Sequence, residues 1–124
     1  MALSIASSSS FKGKIAYETD LEADVKANIF GGAVTVATLD IDNAANSGTV
    51  VYVKMYDSST TVTPGTTPPD HQIAVAGGAR RLLVYTSGLE FTSGLSMNCS
   101  TTSGTGGDAT TDPSGAVIVS VVAT

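Results

Sequence analysis

Tryptophan is missing from this chain, cysteine occurs once, and Lys and Arg together number 6 in 124 residues against 11 acids. With Cys99 alone no intrachain disulfide can form, which excludes the disulfide-framework secreted folds. The net charge of −5, with no basic cluster beyond Arg80-Arg81, argues against a nucleic-acid surface, because neutralising phosphates needs a basic stripe. No apolar run approaches the length that crosses a bilayer, so no membrane partner is expected. Residues 1–10 carry neither a basic n-region nor a long apolar h-region, and the expectation is a chain made and kept in a reducing compartment without a signal peptide.

Charge is scarce as well, at 14% of residues against 42% hydrophobic, which is far from the signature of a disordered chain. The length is that of one domain, able to bury roughly two thirds of its unfolded surface. Thr, Ser, Val and Ala dominate and Gly is frequent, a composition that favours strands and tight turns. A surface of Ser, Thr and small apolar groups suits burial against neighbouring protein.

Residues 1–14, with four consecutive serines, read as an arm or a first edge segment, and residues 15–124 as the domain. Between residues 17 and 26 the acids Glu18, Asp20, Glu22 and Asp24 alternate, while Leu21 and Val25 sit four apart and Thr19-x-x-Glu22 has capping-box spacing. Both an extended segment and one short helix fit. Residues 28–41 read as a long strand, bent at Gly31-Gly32, with Val34 and Val36 on one face and Ala33, Ala37, Leu39 and Ile41 on the other. Residues 43–48 form a polar corner.

Residues 49–56 then place Val51, Val53 and Met55 on one face and Val50, Tyr52, Lys54 and Tyr56 on the other, the pattern of a half-buried strand. The long loop 57–70 contains Pro64-Gly65 and Pro68-Pro69, which bar a central strand. Strands are expected at 71–76, 80–86, 89–99 and 116–122, with short turns at Gly77-Gly78 and Ser87-Gly88 and an exposed loop at 100–114. The last strand is apolar on both faces, as if covered by core and partner. The fold class is therefore all-β: a single antiparallel β-sandwich or jelly-roll-like domain.

Chemistry-bearing constellations are few. Asp40-x-Asp42-Asn43 offers oxygens of the kind calcium takes, but Ala44 and Val51 stand where the helix-loop-helix template needs ligands, and Asp and Asn are ordinary turn residues. Neither a metal nor another cofactor is expected. His71 beside Asp70 invites a general-base reading, yet no Gly-x-Ser-x-Gly elbow supplies a nucleophile, and the chain does not read as an enzyme. Cys99 shares the apolar parity of Met97 and reads as a small buried hydrophobe. Arg80 and Arg81 serve equally as guards of a strand edge or as inter-subunit partners for the acids of residues 18–24.

Three ordered blocks carry a resemblance: DIDNAANSGTVVYVKMYD (residues 40–57), PGTTPPDHQIAVAGGA (64–79) and SGLEFTSGLSM (87–97). Residues 28–96 resemble a family of small virion structural proteins of tailed bacteriophages, especially those of marine bacteria and cyanobacteria. The resemblance implies a noncatalytic particle component, most like a capsid decoration or cement protein that binds the major capsid protein or other virion proteins. It implies a place on the particle surface after synthesis in the host bacterial cytoplasm, and by analogy a homotrimer. A small neck, tail or fibre-associated subunit is the alternative within the particle, and a carbohydrate-binding module the alternative from another class. The protein-interface candidates are Phe11, Lys12 and Lys14 of the arm, Tyr52 and Tyr56 of one strand face, Pro64, Pro68 and Pro69 of the long loop, Arg80, Arg81, and Val119 and Val121 of the last strand.

Overall fold

The computed structural model describes residues 3–8, 13–107 and 109–124. Among them are eight strands: β1 (Leu3–Ser8), β2 (Gly13–Glu18), β3 (Val34–Asp42), β4 (Val51–Asp57), β5 (His71–Val75), β6 (Arg80–Phe91), β7 (Leu95–Ser100) and β8 (Ile118–Ala123), with a 3-10 turn at Ala109–Thr111. All pairings are antiparallel. They build a five-stranded sheet in the order β1-β2-β8-β3-β6 and a three-stranded sheet in the order β5-β4-β7. The expected all-β sandwich is what the chain forms.

The core lies between the sheets. Val36, Leu39, Ile41, Val119 and Val121 face Val51, Val53, Met55, Met97 and Cys99, all fully buried. Burying each aliphatic side chain of this size is worth about 1.5–3 kcal/mol relative to leaving it in water. Leu21, Ile29 and Phe30, from the segment between β2 and β3, close one side of the same core.

One strand breaks its own alternation. Val34 and Val36 are buried, and so are Leu39 and Ile41, although an uninterrupted strand would turn these pairs to opposite faces. The register of β3 slips between Val36 and Thr38 against both β6 and β8. Against β8 Ala37 is the extra residue of a β-bulge, which resets the parity so that both halves of β3 feed one core; against β6 the surplus lies in residues 85–88 of β6, which stand opposite Ala37. The expected split of these residues across two faces is thereby corrected.

In the three-stranded sheet β7 and most of β4 are buried on their other face too, while Gln72 and Ala74 of β5 stay exposed. Lys54, Ser96, Asn98 and Ser100 are each 2% exposed or less, because residues 22–28 and 101–107 fold over them. Each polar side chain answers a backbone group of that cover. Lys54 Nζ donates to the Gly106 carbonyl at 2.6 Å, Asn98 Nδ2 to that of Ala23 at 2.9 Å and Ser100 Oγ to that of Thr102 at 2.8 Å, while Ser96 Oγ accepts the Asn28 N–H at 2.9 Å and donates outside the cover to the Ser58 carbonyl at 3.0 Å. Burial lowers the Lys54 pKa, since desolvation disfavours the ammonium. The cover also bonds along the free side of β7: Lys26 and Met97 exchange backbone hydrogen bonds, Ile29 N donates to Leu95 O, and Cys99 N donates to Glu22 O.

Other boundaries shift. Residues 19–26 form no helix; they run as an irregular segment, with Glu18 buried, Leu21 N bonded to Val117 O, and Ala23 N bonded to Asp112 Oδ1 at 2.7 Å. The Asp20 side chain, hydrogen-bonded to Glu22 and of the same charge, raises the Glu22 pKa. The chain turns not at Ser87-Gly88, which lies inside β6, but at residues 92–94. There the Asp57 carboxylate accepts the backbone N–H of Ser93 at 2.8 Å, of Thr92 at 3.0 Å and of Gly94 at 3.3 Å, together with the Thr92 hydroxyl. Part of the stretch expected as an arm belongs to the five-stranded sheet, as β1 and the first residues of β2.

Candidate functional site

Among the described residues the outer face of the five-stranded sheet is a broad, regular surface. Strand register aligns its residues in rows. One row runs Ala6, Ile15, Val122, Thr38, Val84 from β1 to β6, and the next runs Ser4, Tyr17, Ser120, Asp40, Leu82. Leu82 and Val84 are each 63% exposed and Tyr17 43%, while Ile15, Ile118 and Val122 are half-buried. These are the residues of opposite parity to the core, placed outward by the same alternation that buries Ala16, Val119, Val121 and Leu39.

At one end of this face Tyr17, Asp40, Asp42, Arg80, Ile118 and Ser120 line a shallow hollow of about 120 Å³. Arg80 grips Asp40 in a fork, Nε to Oδ1 at 3.0 Å and Nη2 to Oδ2 at 2.7 Å. That hydrogen bonding holds the Asp40 carboxyl below its usual pKa and raises Arg80. Asp42 Oδ1 accepts the N–H of Ala44, an Asx turn that opens the corner after β3. The two carboxylates weighed as calcium ligands are thus engaged in a surface ion pair and a turn. Among the described residues no group of three His, Cys, Asp or Glu is gathered closely enough to hold a metal ion.

The interface candidates scatter. Phe11 and Lys12 lie outside the described residues. Lys14 is exposed, its Nζ 3.5 Å from the Phe30 carbonyl. Tyr52 is half-buried, but Tyr56 is 2% exposed, its hydroxyl donating to Asn98 Oδ1 at 3.1 Å and its pKa raised by burial. The expectation of an exposed Tyr52/Tyr56 face is therefore corrected for Tyr56, whose face of β4 is roofed by the cover described above. Val119 and Val121 are corrected as well: both point into the core, and Ile118, Ser120 and Val122 are the outward residues of β8.

Pro64 is half-buried between two surface hollows. One, of about 490 Å³, includes Lys26 and Val62; the other, of about 420 Å³, includes Gly107 and Thr111. Buried Val62 anchors this loop, and Thr63 O closes its turn by accepting the N–H groups of Thr66 and Thr67. Pro68 is exposed and Pro69 half-buried. Arg81 crosses between the sheets, Nη1 donating to Ala74 O at 2.9 Å, so both guanidiniums of the Arg pair have partners within the chain. His71 stands at the start of β5 with its ring edge-on to Phe91, centroids 5.7 Å apart.

Sequence reasoning did not single out Ile15, Tyr17, Leu82, Val84 and Val122. The signal for Leu82 and Val84 was their alternation with Leu83 and Tyr85, which pack against the core. Among the described residues no helix is long and apolar enough to cross a membrane. No family model, curated protein or solved structure matches the chain.

Proposed function

We propose that the protein is a noncatalytic structural component of a tailed-phage virion, a decoration protein that binds and stabilises the shell of major capsid subunits. The observation that carries the binding role is the apolar row Ile15, Val122, Val84 with neighbouring Leu82 and Tyr17, presented in register on a hydrogen-bonded sheet. Such a surface offers contact area with little ordering cost, because its side chains are already held by the strands. The virion address rests on the resemblance of residues 28–96 to small phage structural proteins. Sparse charge suits a face meant to be covered by another protein.

Two measurements test the reading. Quantitative composition of purified particles should show copies in proportion to the major capsid subunit; a few copies per particle would place the protein on the neck or tail axis, and none would end the virion reading. The double variant Leu82→Glu/Val84→Glu should fold normally, since both side chains already face water, and lose attachment to undecorated shells. Undiminished occupancy would remove the outer face as the contact.

A further inference from the structure

A sandwich of two open sheets has four edges, and three of them here are managed. β6 carries Arg80, Arg81 and Glu90 and a register irregularity against β3. The free side of β7 is hydrogen-bonded to residues 22–29. β5 is five residues long, with its Ala74 carbonyl taken by Arg81. Charges, bulges, short strands and covering segments are the ordinary means by which an edge avoids pairing with another chain.

Among the described residues β1 has none of these. Its six residues, LSIASS, include no charge and no proline, pair with β2 without a register shift, and end the sheet. Leu3 and Ile5 share the face of Ala16 and Glu18, the core-facing side of β2, yet they are 36% and 46% exposed. Five strands stand against three, and β1 overhangs the smaller sheet.

We propose that β1 pairs antiparallel with β1 of a second copy of this chain across a two-fold axis, joining the two five-stranded sheets into one continuous sheet. Two-fold pairing sets like residues against like, so a charged strand repels its own copy while an uncharged one does not. β1 carries no charge, and unlike the equally uncharged β7 its free side is not hydrogen-bonded to a covering segment among the described residues. A two-fold axis normal to the sheet keeps the inner face inner, which requires opposed residues of equal parity. Two registers of this kind overlap equally, and the one that sets Ile5 against Ile5 of the second copy, with Leu3 diagonal to it, brings the apolar residues together. Leu3 and Ile5 from both copies then form one apolar strip, and the exposed backbone groups of each β1 find partners. A single pair of short strands is a small interface, well below the usual ~1,200 Å² of stable complexes, so the dimer is concentration-dependent.

The outer face stays free in this dimer, and shell attachment is read separately with the Leu82 and Val84 variants, so either result can fail without the other. The experiment is sedimentation equilibrium of the full chain from about 1 μM to about 1 mM, the weak end of specific association. The expected mass rises from one chain to two. Ile5→Lys, which sets two ammonium groups head to head at the axis, should remain a single chain throughout with an unchanged circular dichroism spectrum. Leu82→Lys should dimerise like the parent. In a second arm, Ile5→Cys treated with a short bis-maleimide should give a covalent dimer, while Cys99, fully buried, leaves the parent uncross-linked. A parent that stays monomeric at every concentration, a trimer, a dimer indifferent to Ile5→Lys, or failure of Ile5→Cys to cross-link would each overturn the proposal.

Discussion

Asn46 donates from Nδ2 to Oδ1 of Asn43 at 2.9 Å, and this buried pair pins three separate connections together. Asn43 Nδ2 reaches the carbonyls of Thr49, Ala76 and Val75 at 3.0, 3.0 and 3.2 Å. Asn46 in turn bonds both backbone groups of Gly115, donating to its O at 3.0 Å and accepting from its N at 2.7 Å. The Asn-Ala-Ala-Asn corner thus ties the β3–β4, β5–β6 and β7–β8 connections at one end of the sandwich.

Asn43→Ala removes the donor from three carbonyls and takes one acceptor from the Asn46 amide, which keeps its bonds to Gly115. Buried groups left without partners cost about 1–3 kcal/mol each where water cannot replace them, so a loss of about 3 kcal/mol is expected. Urea unfolding monitored by circular dichroism measures it; a change under about 1 kcal/mol would show that water fills the gap.

Gly77 sits against the same corner, where an added Cβ would meet the backbone of Asn46, Gly48 and Thr49. Backbone cannot swing aside as a side chain can. Gly77→Ala should therefore cost about 1–3 kcal/mol, in the range of overpacking, whereas Gly78→Ser, whose Cβ position is open but whose φ is +75°, should cost about 1 kcal/mol for the left-handed conformation alone. Chemical denaturation of the two variants side by side tests the order.

Asp57 holds the 92–94 turn, and the N–H groups of Ser93, Thr92 and Gly94 with the Thr92 hydroxyl lower its pKa against the opposing effect of burial. A carboxyl whose folded pKa lies below its unfolded value of about 3.9 adds stability above that value and loses it as pH falls through the folded pKa. Asp57→Asn should be less stable at pH 7, by about 1–2 kcal/mol for the weakened charge-assisted bonds, and should lose less on acidification. Parallel acid titrations of unfolding midpoints give the comparison, and superimposable profiles would count against the turn cap.

Burial pushes the Cys99 thiol from its usual 9 up to about 12. With the folded pKa above the unfolded one, the contribution is fully present below about pH 9 and is lost as pH rises toward 12. Cys99→Ala should flatten the alkaline decline in stability between those limits. Alkylation of Cys99 at pH 8 should proceed only as fast as the chain opens; labelling as rapid as that of a free thiol would contradict the buried placement.

The sequence was most legible where one strand meets one core. The parity of Val51, Val53 and Met55, and that of Leu95, Met97 and Cys99, could be read directly and holds in the structure. Tyr56 and Lys54 were misread because a polar residue opposite an apolar one normally signals water, whereas here it signals the backbone of a covering loop; nothing local distinguishes the two. Ser87-Gly88 and Ser93-Gly94 are equally good turn signals, and the choice between them lies with Asp57, more than thirty residues upstream. For Val119 and Val121 an apolar run on both faces concealed which parity pointed inward. The outward face proposed for binding was visible only once register had lined up five strands.

The bulge at Ala37 concentrates the freedom in the length of β3 at one position and leaves none within the pairs on either side of it. Trimming the Ala37 codon would erase the bulge and leave Val34, Val36, Leu39 and Ile41 on one parity of an uninterrupted pleat, whereas trimming Asp40 would send Leu39 and Ile41 to opposite faces, a frame error that no substitution at a single site could reproduce. Lineages carrying this domain should therefore tolerate exchange or loss of Ala37 while purging single-residue insertions and deletions between Val34 and Val36 and between Leu39 and Ile41.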